Sequence, residues 1–551
     1  MQKLLLTAAM AALMSSAAGA APSPIDAGRI MADIKVLSSD DFEGRGPATA
    51  GETKTVAYLI RQMQAAGLQP AGDPQKGGGR AWTQDVPLAR FRTTGPVAVS
   101  VTAGGQTIAW TQGREIAIRA AQTGVKRLTV KAASMVFAGY GVTAPERHWD
   151  DFKGVDLKGK VVLVLVNDPD FETGKGDFGG KAMTYYGRWT YKFEEAARRG
   201  AVGFLVIHET APASYGWATV RNSNTDEIFD VIRKTPLSAH APLEGWIQRD
   251  TAAGLIKAGG YDFDTLKKAA QTRAFKPVVL KGVSFSTDYA IDAQKVVSHN
   301  VVGAIPGTKY PDERVFYTAH WDHLGIGAPD AKGDKIYNGA LDNASGTAML
   351  LELARDSVKA PKPQRTLVFM SVTAEEKGLL GSTYYASAPL YPLATTVGVI
   401  NMDGVGPNGL AHDFTTSGNA PLTLQDELIK VGKAHDRYYS PDPRPEAGSF
   451  FRSDHFPFAK VGVPAISFGG GRDLFEGGKA AGDAKSKAYT ADKYHQPADE
   501  YDPTWDPKGF VADGTLLFEL GQHLANARVW PEWKPGSEFK AIRDRTKAAR
   551  R

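Results

Sequence analysis

Thr318-Ala319-His320-Trp321-Asp322-His323-Leu324-Gly325 follows an apolar run, Arg314 to Thr318, that reads as a β-strand. The strand runs out in a histidine, and a carboxylate comes two residues later. Gly339-Ala340-Leu341-Asp342-Asn343-Ala344-Ser345-Gly346 comes next and puts an aspartate where a helix, Ala344 to Asp356, opens. From there helices and strands alternate. Thr366 to Val372, Val397 to Asn401 and Ala465 to Phe468 read as strands; Leu379 to Ala386, Leu422 to Ala434 and Phe510 to Leu524 read as helices. That alternation predicts a doubly wound α/β sheet of mixed strand direction. Ligand groups in such sheets gather beyond the carboxyl ends of the strands. Glu375-Glu376 follows the strand ending at Val372, and Asp403 follows the strand ending at Asn401. Three separate strand ends therefore terminate in residue types that bind metals.

Upstream, a second unit begins at Ser134. Met135 to Val142 is a strand that ends in glycines, Val161 to Val166 is a fully apolar strand, Thr190 to Arg199 is helical, and Gly203 to Ile207 is another buried strand. This predicts a smaller α/β module, residues 134–280, that rejoins the main body between Ala274 and Asp288. Residues 21–133 and 281–551 then form the main domain around it. Within the first of these, Phe42 to Pro47 is a glycine-rich loop. Glu52 to Ala66 is a helix, with Val56, Leu59, Ile60 and Met63 at helical spacing and Gly67 suited to its C-cap. Val86 to Val130 reads as a set of short strands.

The chain has 551 residues, too many for one compact core. Its 42% apolar and 23% charged residues are ordinary for a globular protein, and a net charge of +5 is too small and too dispersed to argue for nucleic acid. Only Arg543 to Arg551 is a basic run, read as a solvated end. There is no cysteine, which excludes disulfides, thiolate zinc sites and thiol catalysis. Met1 to Ala20 has the layout of a secretory signal: Lys3, then the apolar Leu4 to Met14, then Ala18-Gly19-Ala20. That run is too short to anchor in a bilayer. The expectation is an exported protein, periplasmic or secreted, with no stable membrane anchor.

Without thiolates, any metal must sit on imidazole nitrogen and carboxylate oxygen, the donors that suit zinc. Asp322 is placed to accept from the other ring nitrogen of His320 and fix its tautomer. Asp342 is suited to bridge two ions, which at about 3.5–4 Å apart would activate one water and polarise a carbonyl. In the Glu375-Glu376 pair, one carboxylate can hold metal while its neighbour acts on the water; Glu376 is assigned as ligand and Glu375 as general base. His323 competes with His320 as a ligand. No Gly-x-Ser-x-Gly or His-Glu-x-x-His occurs, which disfavours a serine hydrolase or a single-zinc helix-motif protease.

His320-x-Asp322, Leu341-Asp342-Asn343-Ala344-Ser345-Gly346, Ala374-Glu375-Glu376-x-Gly378-Leu379-Leu380-Gly381-Ser382, Asn401-Met402-Asp403 and Tyr494-His495-x-x-x-Asp499 together resemble the M28 di-zinc peptidases. The resemblance implies a zinc exopeptidase-like fold, with the 134–280 module similar to the inserted protease-associated domain of larger members. It implies two zinc ions per chain: one on His320 and Asp403, one on Glu376 and His495, with Asp342 bridging. It also implies Glu375 as base, Asp322 as the orienting carboxylate and a peptide substrate. The activity implied is removal of terminal residues, first as an aminopeptidase, with a carboxypeptidase, a dipeptidase or a glutaminyl-cyclase-like transferase as alternatives. One motif departs. Compact members carry an oxyanion tyrosine just before Ser-Asp-His, whereas Phe450-Phe451-Arg452 precedes Ser453-Asp454-His455 here. Tyr494 takes that role in the reading. Arg452 is left open between a substrate carboxylate and a surface ion pair. Tyr185, Tyr186, Trp189 and Tyr191 are left open between covering the cleft and packing inside the module.

Overall fold

The computed structural model describes residues 25–550 apart from Asp226, Asn419 and Ala420. The Met1 to Ala20 leader lies outside the described residues. In chain order the principal strands are β1 (Thr83–Ala103), β2 (Ile116–Ile118), β3 (Arg127–Phe137), β4 (Val161–Leu165), β5 (Gly203–His208), β6 (Leu243–Gln248), β7 (Val278–Ile305), β8 (Tyr310–His320), β9 (Arg365–Val372), β10 (Thr396–Met402), β11 (Asp413–Thr416), β12 (Tyr438–Tyr439) and β13 (Ala465–Gly470). They join in one large mixed sheet, ordered β12-β11-β13-β10-β8-β9-β7-β3-β4-β5-β6-β2.

The half that holds the site is the alternation read from the sequence. β8 runs parallel to both β9 and β10, and β10 runs parallel to β13. Their central stretches, Val315 to Ala319, Leu367 to Met370 and Val397 to Ile400, are buried and mostly apolar, as parallel strands covered on both faces require. The main helices here are α1 (Ala27–Leu37), α2 (Ala50–Ala66), α3 (Gly346–Lys359) and α4 (Pro507–Asn526). α2 ends on Gly67 in the left-handed conformation, φ +90°. α4 lies close on β8: Tyr317 donates to the Leu517 carbonyl at 2.8 Å. A Cβ at Gly521 would fall 1.6 Å from that same hydroxyl, so the fold depends on glycine at that crossing.

The other half has its own core. Met135, Phe137, Val161, Leu163, Leu205, Ile207, Leu243 and Ile247 pack together over parallel β3–β6. This core reaches back to Phe91, Val99, Val101, Ile116 and Ile118, residues the sequence reading had placed with the main domain. The two halves are not separate sheets. β7 is 28 residues long, and its first part pairs with β3 while its last part pairs with β9. β1 accompanies it antiparallel from Thr83 to Thr102. Where several short strands were expected between Val86 and Val130, the chain forms one 21-residue strand and three short or medium ones.

The basic tail also differs from expectation. Arg543 and Arg550 are buried. Arg543 donates to the Thr396 carbonyl at 3.0 Å, and Arg550 pairs with Glu532 at 3.2 Å. Their long aliphatic stems pack while their heads find acceptors, so this stretch closes the base of β10 instead of trailing in solvent. Among the described residues no helix is long and apolar enough to cross a membrane.

Candidate metal centre

The sheet brings five predicted ligands to one hollow. His320 is the last residue of β8, and Asp403 follows β10 directly. Glu375 and Glu376 sit in the loop after β9. Asp342 does not open a helix as expected. It lies in a distorted turn, Ala340–Ser345, ahead of α3, and its backbone is extended at φ −109°, ψ 94°. His495 comes three residues past a helix at Gly478–Asp492.

His320 Nε2 lies 3.3 Å from Asp342 Oδ1 and 3.3 Å from Asp403 Oδ1. His495 Nε2 lies 3.2 Å from Asp342 Oδ2 and 3.1 Å from Glu376 Oε2. Ligand atoms held tetrahedrally at about 2.0–2.1 Å from zinc are themselves about 3.3 Å apart, so both sets have the spacing of donors around one ion. The two oxygens of Asp342 turn to different sets, as a bridging carboxylate must. His323 also reaches this hollow: with Asp342 and Glu376 it forms a second group compact enough for a cation. Its Nδ1, however, is 2.6 Å from Glu376 Oε1, the length of a charge-assisted hydrogen bond and shorter than a ligand-to-ligand edge. That geometry suits a residue that aims Glu376.

Charge explains the arrangement. Burial raises the pKa of Asp342, but hydrogen bonds from His320 and His495 outweigh it and hold the carboxyl well below its usual range. The two histidines move the other way: burial opposes their charge, yet the surrounding carboxylates push both well above an ordinary imidazole. Glu375 and Glu376 are neighbours with opposite fates. Burial, together with Asp403 and Glu376, raises Glu375 well above a normal carboxyl despite the pull of His320. For Glu376, His495 and His323 overcome burial and keep it ionised. Divergent pKa values in one pocket are the usual sign of divided acid and base work.

The supports were only partly visible in the sequence. Asp322 was expected to hold the His320 ring with its carboxylate. The ring Nδ1 instead meets the backbone carbonyl of Asp322 at 3.1 Å, with the carboxylate at 3.8 Å. The Asp322 carboxylate accepts from the amides of Glu375 at 3.0 Å and Glu376 at 3.4 Å, so it sets the position of that pair. Three further supports have no role assigned from the sequence, although Asn343 and Asp499 stand inside the quoted motifs. Arg45, fully buried, donates to the carbonyls of Trp321, Leu37, Asn338 and Gly339 at 2.5–2.8 Å and ties two ligand loops to α1. Asn343 bonds the Met402 carbonyl at 3.0 Å and the Gly404 amide at 3.1 Å, joining the Asp342 turn to the Asp403 loop. Asp499 accepts from the amides of Leu341 at 3.1 Å and Asp342 at 3.0 Å. A lone buried arginine in a glycine-rich loop carries no spacing signal, which is why Arg45 escaped notice.

Tyr494 lies over the hollow, half-exposed, its ring stacked on His495 at 3.9 Å. Asp454 of the Ser-Asp-His motif is buried and accepts from Ser382 Oγ at 2.6 Å, and burial pushes it up to about 7. Arg452 forms no ion pair among the described residues; it donates to Ser214 Oγ at 2.9 Å. The aromatic cluster divides. Tyr186 and Tyr191 pack inside the second core, while Tyr185 packs at a tilt against Phe451 and Phe456 of the main half at 6.1 and 5.2 Å.

Residues 300–517 match the model of peptidase family M28. The match takes in about two fifths of the chain. All the ligand candidates of the hollow fall inside this M28 segment. A probable zinc metalloprotease of Pyrenophora teres f. teres is 38% identical over 116 residues, 21% of this chain and 24% of that protein. A probable zinc metalloprotease of Leptosphaeria maculans is 36% identical over 199 residues, 31% of this chain and 46% of that protein. The chain thus spans between a quarter and a half of these relatives' length. Among solved structures, an aminopeptidase from Aneurinibacillus sp. strain AM-1 is similar at 20% identity and a TM-score of 0.49, covering 91% of this chain and 95% of that one.

Proposed function

We propose that the protein is a zinc-dependent exopeptidase, an aminopeptidase first of all, that binds two zinc ions in the M28 hollow. The observation that carries this is the shared Asp342, whose two oxygens turn to two separate donor sets at zinc-ligand spacing. In this reading His320 and Asp403 complete one set and His495 and Glu376 the other. When bound, the ions supply Lewis-acid polarisation of the scissile carbonyl and acidify the attacking water.

The chain's own groups do the rest. Glu375, whose pKa is raised by its surroundings, takes the proton from the attacking water and delivers it to the leaving amine. Asp322 holds the backbone of Glu375 and Glu376 so that one points at water and the other at metal. Tyr494, stacked on His495, donates its hydroxyl to the oxyanion. Residues 134–280 are the inserted protease-associated domain of the reading, and Met1 to Ala20 supports export.

The test is a panel of one peptide with free, N-blocked and C-blocked ends, assayed with and without chelator and alongside metal analysis. Hydrolysis of free and C-blocked forms only, lost on chelation, with two zinc ions per chain, is the expected result. Cleavage of the free and N-blocked forms but not the C-blocked form would replace aminopeptidase by carboxypeptidase, and chelator-resistant cleavage would remove the metal reading.

A further inference from the structure

Among the described residues every other buried arginine makes at least one side-chain hydrogen bond, and Arg188 makes none. It is 8% exposed and sits at the start of the helix Trp189–Arg198, in the second half of the molecule. Its Nε has no hydrogen-bond partner, and among the described residues no carboxylate pairs with its guanidinium. Burial lowers its pKa to about 10, and the positive charge of Arg452 lowers it further. An unpaired buried guanidinium beside a like charge is costly and persists where an anion completes it.

The surroundings are those of a rim and not of a core. The Arg188 stem lies against Gly448, where an added Cβ would stand 3.4 Å from its Cδ. Gly448 opens the loop Ser449–Asp454 of the M28 segment, and the Met183 amide bonds the Pro445 carbonyl at 3.0 Å to fix the two halves there. Arg452, exposed, reaches across to Ser214 Oγ at 2.9 Å and lies 5.7 Å over the Tyr215 ring. The next residue, Ser453, accepts from Asn401 Nδ2 at 2.8 Å, two residues before Asp403. Along that path the Arg452 backbone is at most about 20 Å from the Asp403 backbone, the reach of five or six extended residues.

We propose that Arg188 and Arg452, one from each half of the molecule, form a carboxylate-binding subsite at the rim of the metal hollow that grips the far end of a short peptide. The ligand chemistry is a carboxylate taken by two guanidinium forks, which match it bidentately. Its source is the free C-terminus of a short peptide or an acidic side chain near that end. The subsite selects short acidic-ended substrates and rests on the exopeptidase reading above.

The experiment uses the zinc-loaded protein and three peptides sharing one N-terminal residue: a tripeptide acid, its C-terminal amide, and an amide with Glu at the third position. The wild type is expected to prefer the acid to the plain amide by at least tenfold in kcat/KM. Arg452→Gln and Arg188→Gln are each expected to bring that ratio toward one through KM, with kcat on the acid largely kept. Arg188→Lys should restore only part of the preference, because a point charge lacks the fork. If the Glu-containing amide behaves like the acid, side-chain carboxylates are accepted; if it behaves like the plain amide, the C-terminus is the ligand. Where Arg188→Gln fails to fold, Arg452→Gln at the surface carries the test. Equal turnover of acid and plain amide by the wild type overturns the subsite and leaves the exopeptidase reading standing. Turnover of neither overturns both.

Discussion

The metal hollow and the seam near Arg188 are both out of electrical balance, in opposite senses. The hollow gathers Asp342, Glu375, Glu376 and Asp403 with two histidines that those carboxylates drive toward protonation. At the seam Arg188 feels the like charge of Arg452, and among the described residues no carboxylate pairs with either. Arg45 lies close to the hollow, is as buried as Arg188, and is unlike either, since four carbonyls receive its donors. The difference separates two uses of buried charge. A satisfied charge fixes loops, whereas an unsatisfied cluster states the sign of what it is built to receive.

The comparison can be broken most sharply at Glu375. Glu375→Gln should lower kcat by roughly a thousandfold or more while bound zinc, read by metal analysis, stays at the wild-type level. Normal turnover in that variant would strip the hollow of its assigned base. A smaller but global effect is expected where charge is satisfied. Arg45→Met leaves four buried carbonyls without donors and should destabilise the fold by about 4 kcal/mol in denaturant unfolding, since each orphaned group costs about 1–3 kcal/mol before relaxation.

His240 offers a balanced counterpart within the second half. It lies 3.0 Å from Asp230 and 3.1 Å from Glu244. Burial works against its charge, but Glu244 and Asp230 prevail and raise it from 6.5 to about 9. Its folded pKa exceeds the unfolded one, so its stabilisation is complete below pH 6.5 and fades as pH climbs through about 9. The loss should be on the order of 2–3 kcal/mol, and His240→Gln should flatten that part of the stability profile. The smallest effect is expected at the half-exposed edge of the hollow. Tyr494→Phe should reduce kcat about tenfold with unchanged zinc content, as one oxyanion donor open to water is worth less than a buried one.

Much of the half that holds the ligand candidates was legible because its signals are local. Strand ends with His320, Glu375-Glu376 and Asp403 follow short apolar runs, and periodicity marks those runs directly. What escaped depends on tertiary approach. Asp322 and its backbone carbonyl exchange roles only once the loop after β9 folds over β8. The buried ends of Arg543 and Arg550 look like any basic tail until a partner carbonyl is in place. The length of β7 is hidden because polar positions near Asp292 to Lys295 break its apolar pattern, and only pairing with β1 shows it to be continuous.

That continuity has a mechanical consequence. β1 and β7 pass from one half to the other as a pair of hydrogen-bonded ribbons, a splint where a hinge would need slack chain. The gap between the halves is therefore set when the backbone folds, not when a guest arrives. For the peptide-end subsite proposed above, this means a ruler of fixed length, because paired backbone holds its two sides at one spacing.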